Sequence, residues 1–347
     1  MIKSKGFVFL VLSLFFCTLK AQNSPLRGAQ NAQDEITQGW TNEVAIGVDF
    51  LSNLLINPTV GGGTNRLGFG ASFELINQYN YGRFSWSNNL NVQYGIQKSG
   101  SGVLEDNPDQ KVPFQKNIDN IWLTSRMALR TSYFSKFYYA SDLFFSSQLT
   151  PTYEGNFLSD VTGSGGPISK FLSPALFQFS VGIEHRPNDY FSIFLSPLSY
   201  KTTIVNDAEI ADDIALDTNG DFLGTIHGNP FEINDDDSVT LKKYDNQLGA
   251  SLRFVYNNQL SERFALSSNL LLFSNYLRDP DHIDVNWRNT VDITLFKNIK
   301  LSLLSLLTYD HDIFVQVTDN AFPGGVNGLG RRVSYTQQLV LKYSYAF

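Results

Sequence analysis

The stretch FSWSNNLNVQYGIQ, residues 84–97, holds a two-residue period along its whole length. Phe84, Trp86, Leu90, Val92, Tyr94 and Ile96 share one parity; Ser85, Ser87, Asn89, Asn91, Gln93, Gly95 and Gln97 share the other. Only Asn88 interrupts the apolar row. Successive side chains of a strand point to opposite faces, so the segment must have one apolar and one wet face. Sandwich strands alternate too, but they rarely run so long. A long-stranded sheet follows, and the open question is whether protein or lipid meets its apolar face.

The alternation returns at 42–51, 66–77, 121–133, 136–149, 174–186, 189–201, 246–257, 262–277, 283–296, 298–309 and 332–347. About twelve strands are predicted, most of them matching the roughly 9–11 tilted residues that cross a bilayer. Short links at 77–84, 133–137, 186–190, 257–263 and 296–299 alternate with longer ones at 52–65, 98–117, 150–172, 204–245, 278–282 and 310–331. A membrane meander has this form, with tight turns on the periplasmic side and long loops outside. A soluble Greek-key sandwich has no reason to sort its loops by parity. The fold expected is all-β, a transmembrane antiparallel up-and-down barrel, whose apolar face at 84–97 meets lipid.

The start of the chain agrees with an exported protein. Lys3 and Lys5 precede an apolar run from Gly6 to Cys17, and Leu19-Lys20-Ala21 offers a small residue for cleavage before Gln22. That is the layout of a secretory signal. The organisation expected is a signal peptide at 1–21, a periplasmic segment at 22–40 and a barrel at 41–347. Cys17 is the chain's one cysteine, so the mature part has no disulfide or thiolate chemistry. At the other end, VSYTQQLVLKYSYAF places Tyr343, Tyr345 and Phe347 on one parity. Alternating aromatics and a final Phe are similar to the signal read by the barrel-assembly machinery, which becomes an expected partner during insertion. The cell outer membrane of a Gram-negative bacterium is the expected location, crossed many times, with its lipid around the barrel.

Aromatics gather near strand ends: Phe84 and Trp86, Phe137, Tyr138 and Tyr139, Tyr190 and Phe191, Phe264, Tyr343 and Tyr345. In a barrel they suit the interfacial girdles.

Several phrases carry a family resemblance: GRFSWSN (82–88), SKFYYASDLFFSSQLTPTY (135–153), FLSPA (171–175), RPNDYFSIFLSPLSYK (186–201) and FSNYLRDPDHIDVNW (273–287). From about Gly39-Trp40 to the C-terminus the chain resembles a Bacteroidota family of outer-membrane proteins catalogued as a domain of unknown function. FLSPLSYK and IDVNW are its specific phrases. The resemblance implies an outer-membrane barrel and brings no catalytic residue or substrate with it.

The second parity of each strand is expected to line the lumen: Glu74, Asn89, Asn91, Gln93, Arg126, Arg130, Asp142, Glu184, Arg186, Arg253, Arg288, Asp292, Lys300 and Lys342. Charges of both signs can cross-link into a plug or line a narrow polar pore, and a barrel of about twelve strands lies between the filled and the porin-sized classes.

The net charge is −7, and loss of Lys3, Lys5 and Lys20 leaves −10. The 204–245 loop alone carries eleven carboxylates against Lys242 and Lys243. With so little basic surface left over, nucleic acid is an unsuitable partner. Within this loop DTNGD spaces Asp217, Asn219 and Asp221 like the start of a calcium loop, but Phe222 and Gly228 stand where an EF-hand needs Gly and Glu. A solvated acidic loop, short of apolar residues to pack it down, is the preferred reading. No cofactor is expected.

Asp281-His282 and Asp310-His311-Asp312 lie beside outer strand ends, where a carboxylate-oriented base can activate water. No nucleophile elbow accompanies them. The expected function is non-enzymatic and porin-like, passing or binding small polar solutes; a structural or accessory subunit of a larger outer-membrane assembly is the alternative, then a surface hydrolase.

Overall fold

A computed structural model describes residues 38–53, 66–99, 111–161, 163, 165–216, 220, 222–235, 239–318 and 326–346. Twelve antiparallel strands close on themselves in sequence order. They are β1 Gly39–Asn53, β2 Arg66–Tyr81, β3 Phe84–Ser99, β4 Gln115–Arg130, β5 Phe137–Ser147, β6 Ala175–Asn188, β7 Phe191–Ile204, β8 Tyr244–Gln259, β9 Phe264–Asn275, β10 Ile283–Phe296, β11 Ile299–Tyr309 and β12 Ser334–Ala346. Closure satisfies every edge, which a lone sheet of this size would leave open.

The two-residue period decides the faces. On β3, Asn91 and Gln93 are buried inside, while Phe84, Trp86, Leu90, Val92, Tyr94 and Ile96 point outward beside outward residues of β2 and β4. Around the wall Ile46, Val48, Phe69, Met127, Val181, Leu195, Leu303 and Leu339 are exposed on the outside. An exposed apolar belt around a closed sheet has lipid as its solvent, so the chain is an outer-membrane β-barrel. Asn88 finds a tolerable setting: it lies directly across from Asn77, whose side-chain amide donates to Asn42 Oδ1 at 2.6 Å. These residues lie one row above Trp40, Tyr79 and Trp86, whose rings pack 5.1 and 5.6 Å apart around Trp40.

One family-like phrase explains a local distortion. Pro197 of FLSPLSYK lacks an N–H and sits where the β6–β7 ladder slips: Val181 faces Leu198, yet Ile183 faces Leu195. Leu195 and Leu198 therefore both reach lipid, and Ser196 and Ser199 both turn inward with no exposure. Gly182 lies against this bulge; a Cβ there would sit 2.1 Å from the Leu195 carbonyl oxygen.

Three expectations are corrected. β4 starts at Gln115, six residues before the alternation becomes obvious, because its ladder with β3 slips at Asn117, where Gly95 faces Ile118 and Ile96 faces Lys116, and the pairing parity reverses. Tyr138 is no girdle residue; it is buried in the lumen under Arg186, whose guanidinium lies 4.1 Å from its ring centre. Finally, the acidic β7–β8 loop is not a bare solvated chain. Val205, Ile210 and Ala211 form a small buried core, and Ala215 elsewhere in the loop is fully buried too. Asp207 caps the short helix Ala208–Ala211 by accepting from the amides of Glu209 and Ile210. Asn229 ties the loop shut, donating 2.9 Å bonds to the carbonyls of Ala211 and Lys242. The apolar residues are few and scattered between carboxylates, so composition hides a core that packing reveals.

Candidate functional site

The lumen holds two cavities in series. The outer one, about 410 Å³, lies under the long loops and is walled by Trp122, Phe144, Leu271, Phe273 and Leu306. The inner one, about 330 Å³, lies toward the tight turns and is walled chiefly by charged and amide side chains. Trp122 and Arg288 line both. They come from β4 and β10, on opposite sides of the barrel, and the Arg288 guanidinium stands 4.1 Å from the Trp122 ring centre. This cation–π contact bridges the lumen between the cavities.

In the inner cavity the charges hold one another. Glu184 is almost fully buried and joins Arg126 at 3.1 Å and Arg186 at 2.9 Å. Arg253 and Asp142 pair at 2.5 Å. Lys342 lies 3.6 Å from Glu74, which also accepts from Asn89 at 3.3 Å, and Lys300 lies 4.0 Å from Glu43. Asp292 accepts from Ser302 at 2.5 Å. Arg126 further covers the Phe194 ring, and Arg130 bonds the Tyr138 hydroxyl at 2.9 Å.

At the outer cavity the Lys116–Asp119 pair is accompanied by an ionic node around Lys201. Lys201, almost fully buried, donates to Asp284 at 2.5 Å and to Asp310 at 2.6 Å. Lys201 ends FLSPLSYK and Asp284 sits in IDVNW, so the two specific phrases of the family resemblance meet here across two intervening strands. Asp310 brings in the β11–β12 loop. Beside the node, Asp245 takes both bonds from Arg278 at 2.5 and 2.6 Å, and Gln247 reaches Asp312 at 3.0 Å. Burial, and next to it the Asp310 charge, push the Asp312 carboxyl above the usual range.

Of the residues expected in the lumen, Glu74, Asn89, Asn91, Arg126, Asp142, Arg253, Arg288, Asp292, Lys300 and Lys342 lie together along the inner cavity. Gln93 is buried on the same face of β3, and Arg130 sits at the turn end against Tyr138. Sequence reasoning missed Trp122, Phe144, Phe194 and Phe273, apolar residues on the wet parity. Their signal was present: each breaks the alternation with a bulky ring on the polar face. His282 and His311 do come together, with ring centres 3.7 Å apart and stacked. The carboxylate nearest His282 is 3.9 Å away, too far for a hydrogen bond, and His311 Nδ1 meets the Tyr309 hydroxyl at 3.2 Å. Tyr343 faces lipid. The Tyr345 side chain, Phe347, the calcium candidates Asp217, Asn219 and Asp221, and the segment 1–37 lie outside the described residues.

Residues 52–153 match the model of a family described as a protein of unknown function (DUF3078). No curated protein sequence matches the chain. Among solved structures, an outer membrane channel from Pseudomonas putida F1 aligns over 91% of this chain and 98% of its own, at 11% identity and a TM-score of 0.39. The translocator domain of autotransporter NalP from Neisseria meningitidis aligns over 89% and 90%, at 9% identity and a TM-score of 0.37. The Pseudomonas putida toluene transporter TodX aligns over 89% of each chain, at 10% identity and a TM-score of 0.32. The barrel assignment rests on the strand pairing itself.

Proposed function

We propose that the barrel binds small solutes in its lumen and passes them across the outer membrane, without covalent chemistry. The observation that carries this reading is the pair of cavities in series, joined at Trp122 and Arg288. The Trp122–Arg288 contact between them is made of side chains, which rotate. A barrel filled solely for stability has no need of two spaces of this size on one axis. The histidine pair lends no support to the surface-hydrolase alternative: among the described residues the carboxylate nearest His282 is 3.9 Å away, and His311 meets the Tyr309 hydroxyl.

Single-channel recording in planar bilayers tests the reading. Wild-type protein is expected to show small, discrete conductance, and Trp122→Ala is expected to raise it several-fold by merging the cavities. Silence from both proteins overturns passage.

A further inference from the structure

We propose that the outer cavity is a binding site for small organic anions with an apolar body, and that Arg288 receives the anionic group. This rests on the solute-passing reading and names its ligand class. Three observations lead to it.

First, much of the wall is apolar. Trp122, Phe144, Leu271, Phe273 and Leu306 line the space, beside amides such as Asn120 and Gln148 and the ion-paired Lys201 node. Pockets for small molecules combine such walls with a few placed polar groups. Second, the volume is about 410 Å³. A dry cavity of about 150 Å³ accepts benzene, so this space admits one ring with a short chain, on the order of a dozen heavy atoms. An inorganic ion would leave most of the wall without contact.

Third, the cavity contains two cations without an ion pair among the described residues, Arg288 beside the Trp122 ring and Arg332, which is exposed and bonded to the Arg331 carbonyl. Among the described residues Asp119 is taken by Lys116, and Asp284 and Asp310 share Lys201. Arg288 has no ion pair among them and rests on the Trp122 ring alone. The charges that act on it are Arg253 and Glu74, of opposite sign, and both are already engaged, by Asp142 and by Lys342. Arginine offers five N–H donors in a planar fork suited to a carboxylate, and one of its faces is here occupied by indole. A ligand carboxylate at the fork thus places its apolar body upward among Phe144, Phe273 and Leu306. Arg288 lines both cavities, so binding and passage share one residue.

Trp122 is also the reporter. Replacing Trp40, Trp86 and Trp287, all on the outer face, by Phe leaves Trp122 as the sole tryptophan. Purified full-length barrel in a maltoside detergent is titrated with 4-phenylbutyrate, with its neutral amide and with acetate. The expected result is a saturable change of Trp122 fluorescence with phenylbutyrate, at least tenfold weaker with the amide, and absent with acetate at equal concentration. Arg288→Gln is expected to weaken phenylbutyrate at least tenfold and leave the amide unchanged, with Arg288→Lys between. Equal binding of acid and amide overturns the proposal in the wild-type background, whatever the variants do. Equal binding of phenylbutyrate by Arg288→Gln and wild type overturns it too, and so does acetate saturating the signal as well as phenylbutyrate. Conductance of the same preparation separates the two readings: channels without phenylbutyrate binding remove this ligand class and keep passage, whereas binding without channels does the reverse.

Discussion

The two ends of the lumen are built on different terms. Toward the tight turns, charge meets charge: Glu184 with Arg126 and Arg186, Asp142 with Arg253, Glu74 with Lys342. Toward the long loops, rings and leucines share the wall with the Lys201 node on Asp284 and Asp310, the Lys116–Asp119 pair and the Arg278–Asp245 pair. The difference separates two uses of an inward charge. A group whose partner is another wall residue fixes the wall, while a group left unpaired, like Arg288, is available to something that enters. Mixed signs in a lumen therefore do not identify a pore; the pairing does.

The sharpest break of this comparison is at Glu184. Glu184→Ala leaves two buried guanidinium groups sharing no anion, and the expected loss is about 3–5 kcal/mol. Arg288→Met, which removes only a cation–π contact, is expected to cost less than about 2 kcal/mol. Denaturant unfolding in micelles, followed by heat-modifiable mobility, measures both; equal losses would erase the distinction between the two ends. Next comes the wall that both ends share. Val92→Arg sets a charge against lipid and is expected to cost about 2–4 kcal/mol, whereas Asn91→Arg faces the inner cavity and folds normally. The same gel assay decides, and an equal response would reverse the assigned faces.

A smaller effect is expected in the β7–β8 loop that belongs to the outer end. Ile210→Ala opens its core at a cost of about 2 kcal/mol. Protease added to intact cells should then cut within 205–243 several-fold faster, with the strands still protected. Wild-type resistance unchanged by the substitution would mean that Ile210 does not hold the loop. The smallest effect is a pH response. Burial holds the His227 imidazole below its usual range, against a backbone hydrogen bond with Ile168 that acts the other way. A depressed histidine contributes stability above its ordinary 6.5 and loses it as pH falls through the lowered value. Asp213, 4.0 Å away and itself pushed up by burial and then by Asp212, gains a proton over the acid range and opposes the loss. Cleavage of the loop should therefore rise less than tenfold between pH 7.5 and 5.5, and His227→Gln should flatten it.

What the sequence made legible follows from solvent. A wall between lipid and water repeats every second residue, so strand number, loop alternation and the inward charges could all be read from residues such as Val92 and Asn91. The corrections fall where that alternation stops being informative. Trp122 and Tyr138 are apolar residues serving the wet side, and parity alone cannot tell an inward ring from a slipped register. The start of β4 is masked by the slip at Asn117, which reverses the pairing parity of the residues before it. The core of Val205, Ile210 and Ala211 is too small to shift the composition of a loop rich in carboxylates. Nor could one dimension show that Lys201 and Asp284 meet, because strand tilt decides which residues across a barrel come together.

The seam of the barrel has a consequence for how the chain reaches this form. Eleven of the ladders join strands adjacent in the chain, as hairpins do; β1 and β12 alone join its two ends. Glu43↔Ala346 to Val48↔Leu341 is also a short register, against Gly39↔Asn80 to Asn53↔Arg66 for β1 with β2. Hairpins zip locally, but the seam must bring distant residues together before any bond rewards the lost chain freedom. Gly47, on this seam, keeps the way clear, since a Cβ there would stand 2.7 Å from Val340 and 2.2 Å from the Ser72 hydroxyl. Closure is thus expected to be the last event of assembly, because a sheet complete in every neighbouring pair is still an open ribbon until β1 and β12 meet.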